Sequence, residues 1–340
     1  MIKLAIVALL LLALELIYFA IADKFNIIDK PNERSSHSSI VLRGGGVIFS
    51  LSIVAWAVMM IFQGYWNVVL GYLPFLLGLL IVAVVSFVDD IRSLPDSVRL
   101  VAQFLSMTLM FWSMGILHWN MWWIVVIALI VCVGATNVIN FMDGVNGITA
   151  GYSLSVLLPL ILLNHELLFV DPSFLIVAAL GVLVFCIFNF RPKGKAKCFA
   201  GDVGSISIAF IMLFAIGRLV VMTQDVTYLI FLLVYGVDGC LTICHRILLH
   251  ENLGEAHRKH AYQLMANELK IGHVKVSLVY MVMQLVVSLG FIYLCPNTVA
   301  AHWGYMVGSL VTLSMAYILF KKKYYHLHEE YLKSLNSSTK

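Results

Sequence analysis

The sequence predicts an all-α, polytopic integral membrane protein, and three observations carry that prediction. The 340 residues are 61% hydrophobic and only 12% charged, against about 45–50% and about 25% in an ordinary soluble domain. No water-soluble fold of this size hides that much apolar surface. The apolar residues also run continuously over about 20 positions, the length that crosses a bilayer as a helix. They do not alternate every second residue, as lipid-facing barrel strands do. Finally, the basic residues are confined to alternate connections. Soluble, disordered, collagen-like and disulfide-scaffold classes are excluded. The six cysteines (Cys132, Cys186, Cys198, Cys240, Cys244, Cys295) are scattered and form no C-x-x-C pair, so neither a disulfide framework nor a cysteine zinc site is indicated.

In chain order the candidate spans are 3–22, 45–63, 68–88, 99–117, 122–140, 148–163, 174–190, 204–222, 227–249, 275–295 and 301–320. The run 148–163 is short and ends near Asn164-His165-Glu166, so the expected count is eleven, or ten without it. The first run is too long for the apolar core of a signal peptide, lacks a small-residue cleavage site and carries Glu15, so a retained span is expected.

With eleven spans the termini lie on opposite sides. The connections 64–67, 118–121, 164–173, 223–226 and 296–300 contain no Lys or Arg. The opposite set, with its adjoining helix ends, holds all of the 22 basic residues except Lys3 and Arg218. Positive charge stays in the cytosol, so the amino terminus is expected outside and the carboxyl terminus inside. Lys321-Lys322-Lys323, after the last span, suits an anionic inner leaflet. Residues 1–340 read as one membrane domain with no internal repeat and no inserted soluble domain.

Every unusual polar cluster falls on the expected cytosolic side. The first is Asp29-Lys30-Pro31-Asn32-Glu33-Arg34-Ser35-Ser36-His37, followed by Arg43-Gly44-Gly45-Gly46. Glycines opening a helix leave N–H groups accessible at its positive end, which with Lys30, Arg34 and Arg43 suits a phosphate. The plainer alternative is a basic loop whose glycines serve packing. The second cluster is Asp89-Asp90, where two adjacent carboxylates repel unless a cation or a proton intervenes. A solvated helix end is its plain alternative.

The third cluster is Asn137-x-x-Asn140-x-x-Asp143-Gly144-x-Asn146-Gly147. Its amides and carboxylate can meet a nucleotide base, ribose hydroxyls or a cation shell, although these residue types also dominate turns. The fourth is Phe199-Ala200-Gly201-Asp202-Val203-Gly204-Ser205, preceded by four cations between Arg191 and Lys197. Asp202 is either a helix N-cap or a hard oxygen ligand for Mg²⁺. The fifth comprises His245, His250 and His257-Arg258-x-His260-x-Tyr262-Gln263. Zinc is disfavoured there, because no H-E-x-x-H occurs and Arg258 repels a metal; binding of phosphate or sugar hydroxyls fits better. Within spans, Glu15 reads as structural, whereas Asp238, two turns from Arg246, is an intramembrane carboxylate and so a functional candidate.

In this order and on one face, the five motifs resemble the polyprenyl-phosphate N-acetylhexosamine-1-phosphate transferases of glycosyltransferase family 4, from about residue 29 to about residue 263. The resemblance implies a cytosolic active site that moves a sugar-1-phosphate from a UDP-sugar to polyprenyl (undecaprenyl) phosphate and releases UMP, with Mg²⁺ or Mn²⁺. By the same resemblance, Asp89 and Asp90 are the catalytic pair and Asp202 is the metal ligand, with Asn140 beside it. Asn137, Asn140, Asp143 and Asn146 would contact the nucleotide, and Phe199 would stack on uracil. His257, Arg258 and His260 would meet the diphosphate and sugar, and Arg43, Gly44 and Gly45 a phosphate. The peptidoglycan branch resembles a triple-histidine pattern where this chain has His257-Arg258-Lys259-His260, and it carries Thr-Pro-Thr where this chain has Ser39-Ile40-Val41-Leu42. The branch that initiates O-antigen, capsule or common-antigen glycans is therefore the nearer one.

The physics agrees. A lipid acceptor reaches a site at the membrane boundary, and two anionic substrates need cations to approach one another. The lipid phosphate is already a nucleophile, so positioning matters more than activation. Direct attack, with Asp89 or Asp90 taking the last proton, is expected; a phospho-aspartate route is the rival. A multi-span transporter of anionic metabolites is the alternative function, but inverted repeats and midplane polar groups are missing. A CDP-alcohol transferase is disfavoured, since Asp143-Gly144 lacks the upstream Asp and the Arg of that motif. No nucleic-acid partner is indicated, and the sugar, the lipid chain length and the oligomeric state (a homodimer included) stay open.

Overall fold

In the computed structural model, residues 2–29, 41–117, 120, 122–252, 254 and 257–338 are described. The cluster Lys30 to His37 lies outside them. A helix forms at each of the eleven predicted runs. These are α1 (Ile2–Lys24), α2 (Val47–Phe62), α4 (Leu73–Ile91), α5 (Asp96–Ser113), α6 (Trp122–Phe141), α7 (Ile148–Leu167), α8 (Pro172–Asn189), α9 (Gly201–Thr223), α10 (Leu233–Leu248), α12 (His273–Tyr293) and α13 (Val299–Ser338). A 3₁₀ turn, Val226–Leu232, leads straight into α10, and short helices α3 (Trp66–Gly71) and α11 (Ala261–Asn267) complete the set. The protein is thus all-α and polytopic. Among the described residues, nine helices are long and apolar enough to cross a membrane. Of the two other predicted runs, α2 has 16 residues, and α5 opens on Asp96 and Arg99.

The run 148–163 extends to Leu167 and is among the most deeply buried helices. By contrast α1, α6 and α13 turn residues such as Leu9, Ile127, Ile130 and Leu319 outward, as lipid-facing helices do. Lipid supplies no hydrophobic force between helices, so close backbone approach, ring packing and interhelical hydrogen bonds hold the bundle. The ring of Phe75 in α4 stacks on Phe214 and Phe210 of α9, with centroids 4.0 and 5.4 Å apart. Gly46 and Gly204 let the start of α2 meet α9 so closely that a Cβ on Gly46 would stand 2.3 Å from the Gly204 Cα. Tyr152 of α7 stacks on Tyr235 at 3.4 Å, and its hydroxyl donates to Gln284 of α12 at 2.8 Å.

Helix α13 has 40 residues, or about 60 Å, twice the hydrocarbon thickness of about 30 Å. It continues past the predicted end at residue 320 because its extension docks. His328 Nδ1 meets Glu268 at 3.0 Å, and Lys321 donates to the Lys259 carbonyl. Lys321 is buried, with Nζ 4.9 Å from the Tyr325 ring. It is therefore not part of the expected leaflet anchor, while Lys322 and Lys323 are exposed.

The only sheet among the described residues is the antiparallel pair β1 (Ile28–Asp29) and β2 (Val41–Leu42). Leu42 also bridges to Cys198, fastening the loop before α9 to the start of α2.

Candidate active site

The end of α4, the end of α6, the start of α9 and the loop after α10 meet at one end of the bundle. The first N–H groups of any helix need acceptors from outside it. At α9 the N-cap residue is Ala200, which makes no side-chain cap, and Asp90 of α4 fills the gap. Its carboxylate accepts the N–H of Asp202 at 2.9 Å and that of Val203 at 3.0 Å. Arg43 Nε donates to the same group at 2.7 Å. Gly201 permits this approach: its φ is +69°, and a Cβ there would stand 2.6 Å from Asp90 Oδ2. Asp90 is consequently enclosed, with a side-chain exposure of 0%.

Asp89 points about 100° away around the helix. It accepts the Leu94 N–H at 2.5 Å and Arg99 Nη1 at 3.2 Å. Asp202 lies between the two arginines, with Oδ2 3.9 Å from Arg43 Nη2 and 3.9 Å from Arg99 Nη1. It also lies within hydrogen-bonding reach of Asp89. Asp202 is the most open of the three acids, its side chain 18% exposed. Arg99 also pairs with the exposed Asp96, so four carboxylates face two guanidinium groups, and Asp89 and Asp202 adjoin within that acidic excess.

Among the described residues, no three His, Cys, Asp or Glu side chains form a metal-holding group. A Mg²⁺ site does not require one, because that ion takes one or two carboxylates, keeps several waters and binds substrate phosphate. Paired Asp89 and Asp202 have the oxygen chemistry for it. Asn140 meets the helix that carries Asp202: its Oδ1 accepts the Ser205 hydroxyl of α9 at 2.7 Å and keeps a second lone pair.

Beside the acids opens a cavity of about 430 Å³, whose walls include Arg99, Asn137, Asn140, Arg246, His257 and His260. Asn137 is held by Gln103 of α5, donating to its Oε1 at 2.7 Å. Arg246 is 4% exposed and pairs with Glu251 at 3.2 Å. Burial holds the His257 imidazole down to about 3, with His260 and Arg246 adding to the effect. It therefore stands as a neutral ring in a cavity whose charged walls are Arg99, Arg246 and Asp96. Asp143, just past α6, accepts the Thr149 hydroxyl at 2.5 Å. Burial pushes its carboxyl up to about 6 against that hydrogen bond, and Asp90 adds to the rise.

Some predicted contacts lie elsewhere. The Gly45 N–H donates to the Phe199 carbonyl at 2.9 Å and the Gly46 N–H to that of Ala200 at 3.1 Å. The glycines therefore serve close packing, and the expected phosphate-facing N–H groups at Gly44-Gly45-Gly46 are not open, Gly44 being buried under Tyr18. Asn146 is 2% exposed and donates to the carbonyls of Arg191 and Pro192 at 2.9 and 3.0 Å. It holds the 191–192 loop instead of facing the cavity. Arg258 turns to Glu268 at 3.2 Å and lies over the Tyr331 ring at 4.4 Å, away from the cavity wall. Phe199 is half-buried in the loop before α9, its N–H donating to the Leu42 carbonyl at 2.8 Å. Arg99 and Arg246 take the cationic places expected of Arg258. Neither belongs to a motif, and the only signal for Arg99 was its place in the first turn after Asp89-Asp90.

The middle of the chain, residues 72–222, matches the family model described as glycosyl transferase family 4, which takes in Asp89-Asp90, Asn137 to Gly147 and Asp202. Over that middle part the chain is similar to this family. It is 31% identical over 121 residues to a phospho-N-acetylmuramoyl-pentapeptide-transferase of Thermotoga maritima, covering 36% of this chain and 37% of that protein. It is 33% identical over 142 residues to a probable undecaprenyl-phosphate N-acetylglucosaminyl 1-phosphate transferase of Bacillus subtilis, covering 39% and 38%. A phospho-N-acetylmuramoyl-pentapeptide-transferase of Moorella thermoacetica is 35% identical over 108 residues, 30% of each chain. The matches span only 30–38% of the length of these relatives.

Proposed function

We propose that this protein transfers an N-acetylhexosamine-1-phosphate from a UDP-sugar to polyprenyl phosphate at the cytosolic face of the plasma membrane, releasing UMP and starting a cell-surface glycan. The observation that carries the proposal is the placement of Asp202 between Arg43 and Arg99, in reach of Asp89, where Arg99 also lines a cavity with an amide and imidazole wall. Both phosphates of the reaction are anionic, and this is where fixed cations and a paired-acid cation site adjoin. The motif His257-Arg258-Lys259-His260, without a triple histidine, supports the O-antigen, capsule or common-antigen branch over the peptidoglycan branch.

Asp202 and Asp89, with the Asn140 amide oxygen beside them, would hold the Mg²⁺. When bound, that ion neutralises charge on the diphosphate and on departing UMP. Arg99 and Arg246 bind phosphate oxygens, and Arg43 holds Asp90 in place beneath α9. A lipid phosphate oxygen forms the new bond to the sugar-bearing phosphorus while the bond from that phosphorus to the UMP oxygen breaks. Asp90 is committed to the α9 N-terminus, so Asp89 is the member of the pair that receives the lipid phosphate's last proton. Asn137 and Asp143 face the nucleotide.

The test is UMP release by purified protein in detergent with undecaprenyl phosphate, across UDP-GlcNAc, UDP-GalNAc, UDP-QuiNAc and UDP-FucNAc. Release with one of these supports the proposal. Uptake of a metabolite into vesicles without turnover would favour the transporter instead.

A further inference from the structure

Asp238 lies inside α10 and is 3% exposed. Nothing in the reaction proposed above uses it. Its carboxylate nevertheless accepts from four groups on three elements. The Ala261 N–H lies at 3.0 Å, the Tyr280 hydroxyl at 2.5 Å, the Thr242 hydroxyl at 3.1 Å and His260 Nδ1 at 3.3 Å. A carboxylate ringed by donors accepts from each, so the His260 proton facing it sits on Nδ1. The other ring nitrogen of His260, Nε2, is buried with no hydrogen-bond partner in the protein, on a ring that helps line the 430 Å³ cavity. A buried polar atom left unpartnered at a cavity wall marks a place where a ligand completes the bonding.

We infer that Asp238 is a positioning residue: it fixes the tautomer and orientation of His260 so that Nε2 meets an oxygen of the sugar-phosphate donor. This inference rests on the transferase proposal for its ligand, not for its geometry. The arrangement is a buried acid behind an imidazole whose far nitrogen has no protein partner, a pairing that sets which nitrogen is free. The same carboxylate ties the Ala261 N–H at the start of α11. The backbone carrying His260 and the ring itself are therefore anchored by one group on α10. His260 closes the anchor from its own side, because its N–H donates to Gln263 Oε1 at 3.2 Å. The ring also stacks against Tyr262, centroids 5.7 Å apart, which limits rotation about its side-chain bonds.

Two readouts test the inference. In protein labelled with ¹⁵N-histidine, with the His260 signal assigned through His260→Gln, the wild-type ring should carry its proton on Nδ1, and Asp238→Asn should shift population to the Nε2–H form. A wild-type ring protonated on Nε2 alone would overturn the inference. In turnover assays, Asp238→Asn should lower kcat about 10–100-fold, the usual range for a group that orients another, with a smaller change in KM and an unchanged thermal unfolding midpoint. Tyr280→Phe, which removes one donor to Asp238 but leaves its contact with His260, should keep kcat within about threefold of wild type. Wild-type turnover in Asp238→Asn, or an equal loss in Tyr280→Phe, would assign Asp238 to the scaffold. If wild-type protein releases no UMP from any UDP-sugar, the transferase proposal fails while the NMR result still decides the geometry.

Discussion

Asp90 accepts the backbone N–H of Asp202 at 2.9 Å, so a carboxylate of α4 supplies the cap that α9 lacks. The two acids stand 112 residues apart in the chain, and this bond fixes where Asp202 stands relative to Asp89. Repulsion between them is offset by Arg43 and by the partial positive charge at the helix start. Asp90 is therefore better described as the group that aims Asp202 than as a second acid free to react.

That relationship makes Gly201 a sensitive position. Gly201→Ala places a side chain in a left-handed backbone conformation and against Asp90. The variant should lose on the order of 1–3 kcal/mol of stability, read as a lowered unfolding midpoint in detergent, and UMP release should fall with it. A stable, active Gly201→Ala protein would show that Asp90 does not need this approach.

Asp202→Asn keeps the shape of the side chain and removes its charge. Turnover should fall about 10²-fold or more, the scale of losing one fixed electrostatic contact to the reacting group, with the unfolding midpoint unchanged. Since the Asp202 N–H still caps onto Asp90, a folding defect is not expected. Near-normal turnover would remove Asp202 from the metal role.

Asp143 gives a pH signature. Its carboxyl is raised to about 6 in the folded protein from an ordinary value near 4, so between those values the fold holds a proton that the unfolded chain has released. The contribution of this residue to stability therefore falls as pH rises through that window. If the ionised form contacts the nucleotide, KM for the UDP-sugar should rise as pH drops below about 6. Asp143→Asn should show a higher KM that is flat from pH 5 to 7. A wild-type KM without this limb would leave Asp143 to its turn and to Thr149.

The extension of α13 backs the histidine loop through Arg258, Glu268, His328 and Tyr331. Truncation after Lys323 should lower turnover several-fold and speed amide exchange at 257–260, with the protein still inserted in the membrane. Unchanged exchange at those amides would mean that the loop is held by Asp238 and Gln263 alone.

Much of this was legible in the sequence. The eleven apolar runs mark eleven helices because long continuous hydrophobicity has one structural outcome in a bilayer. Asp89, Asp90, Asn137, Asn140, Asp202 and His260 gather at one end because positive charge and polar motifs fall on the same set of connections. What stayed hidden depends on contacts across the bundle. Gly45 looks like a phosphate cradle until the Phe199 carbonyl is seen to accept its N–H. Arg258 and Arg246 are both plausible anion ligands by type, and only packing shows that Glu268 and Tyr331 turn Arg258 away while Arg246 lines the cavity. The Asp238–His260 contact joins residues 22 apart across a loop, a separation that no helical or strand period encodes.

The most direct measurement is UMP release from the preferred UDP-sugar with undecaprenyl phosphate, before and after EDTA, and again after Mg²⁺ is restored. If Asp202 and Asp89 act by holding a divalent cation between two mutually repelling phosphates, chelation abolishes turnover and Mg²⁺ restores it in wild type but not in Asp202→Asn. Turnover undiminished by EDTA would contradict the cation-centred site.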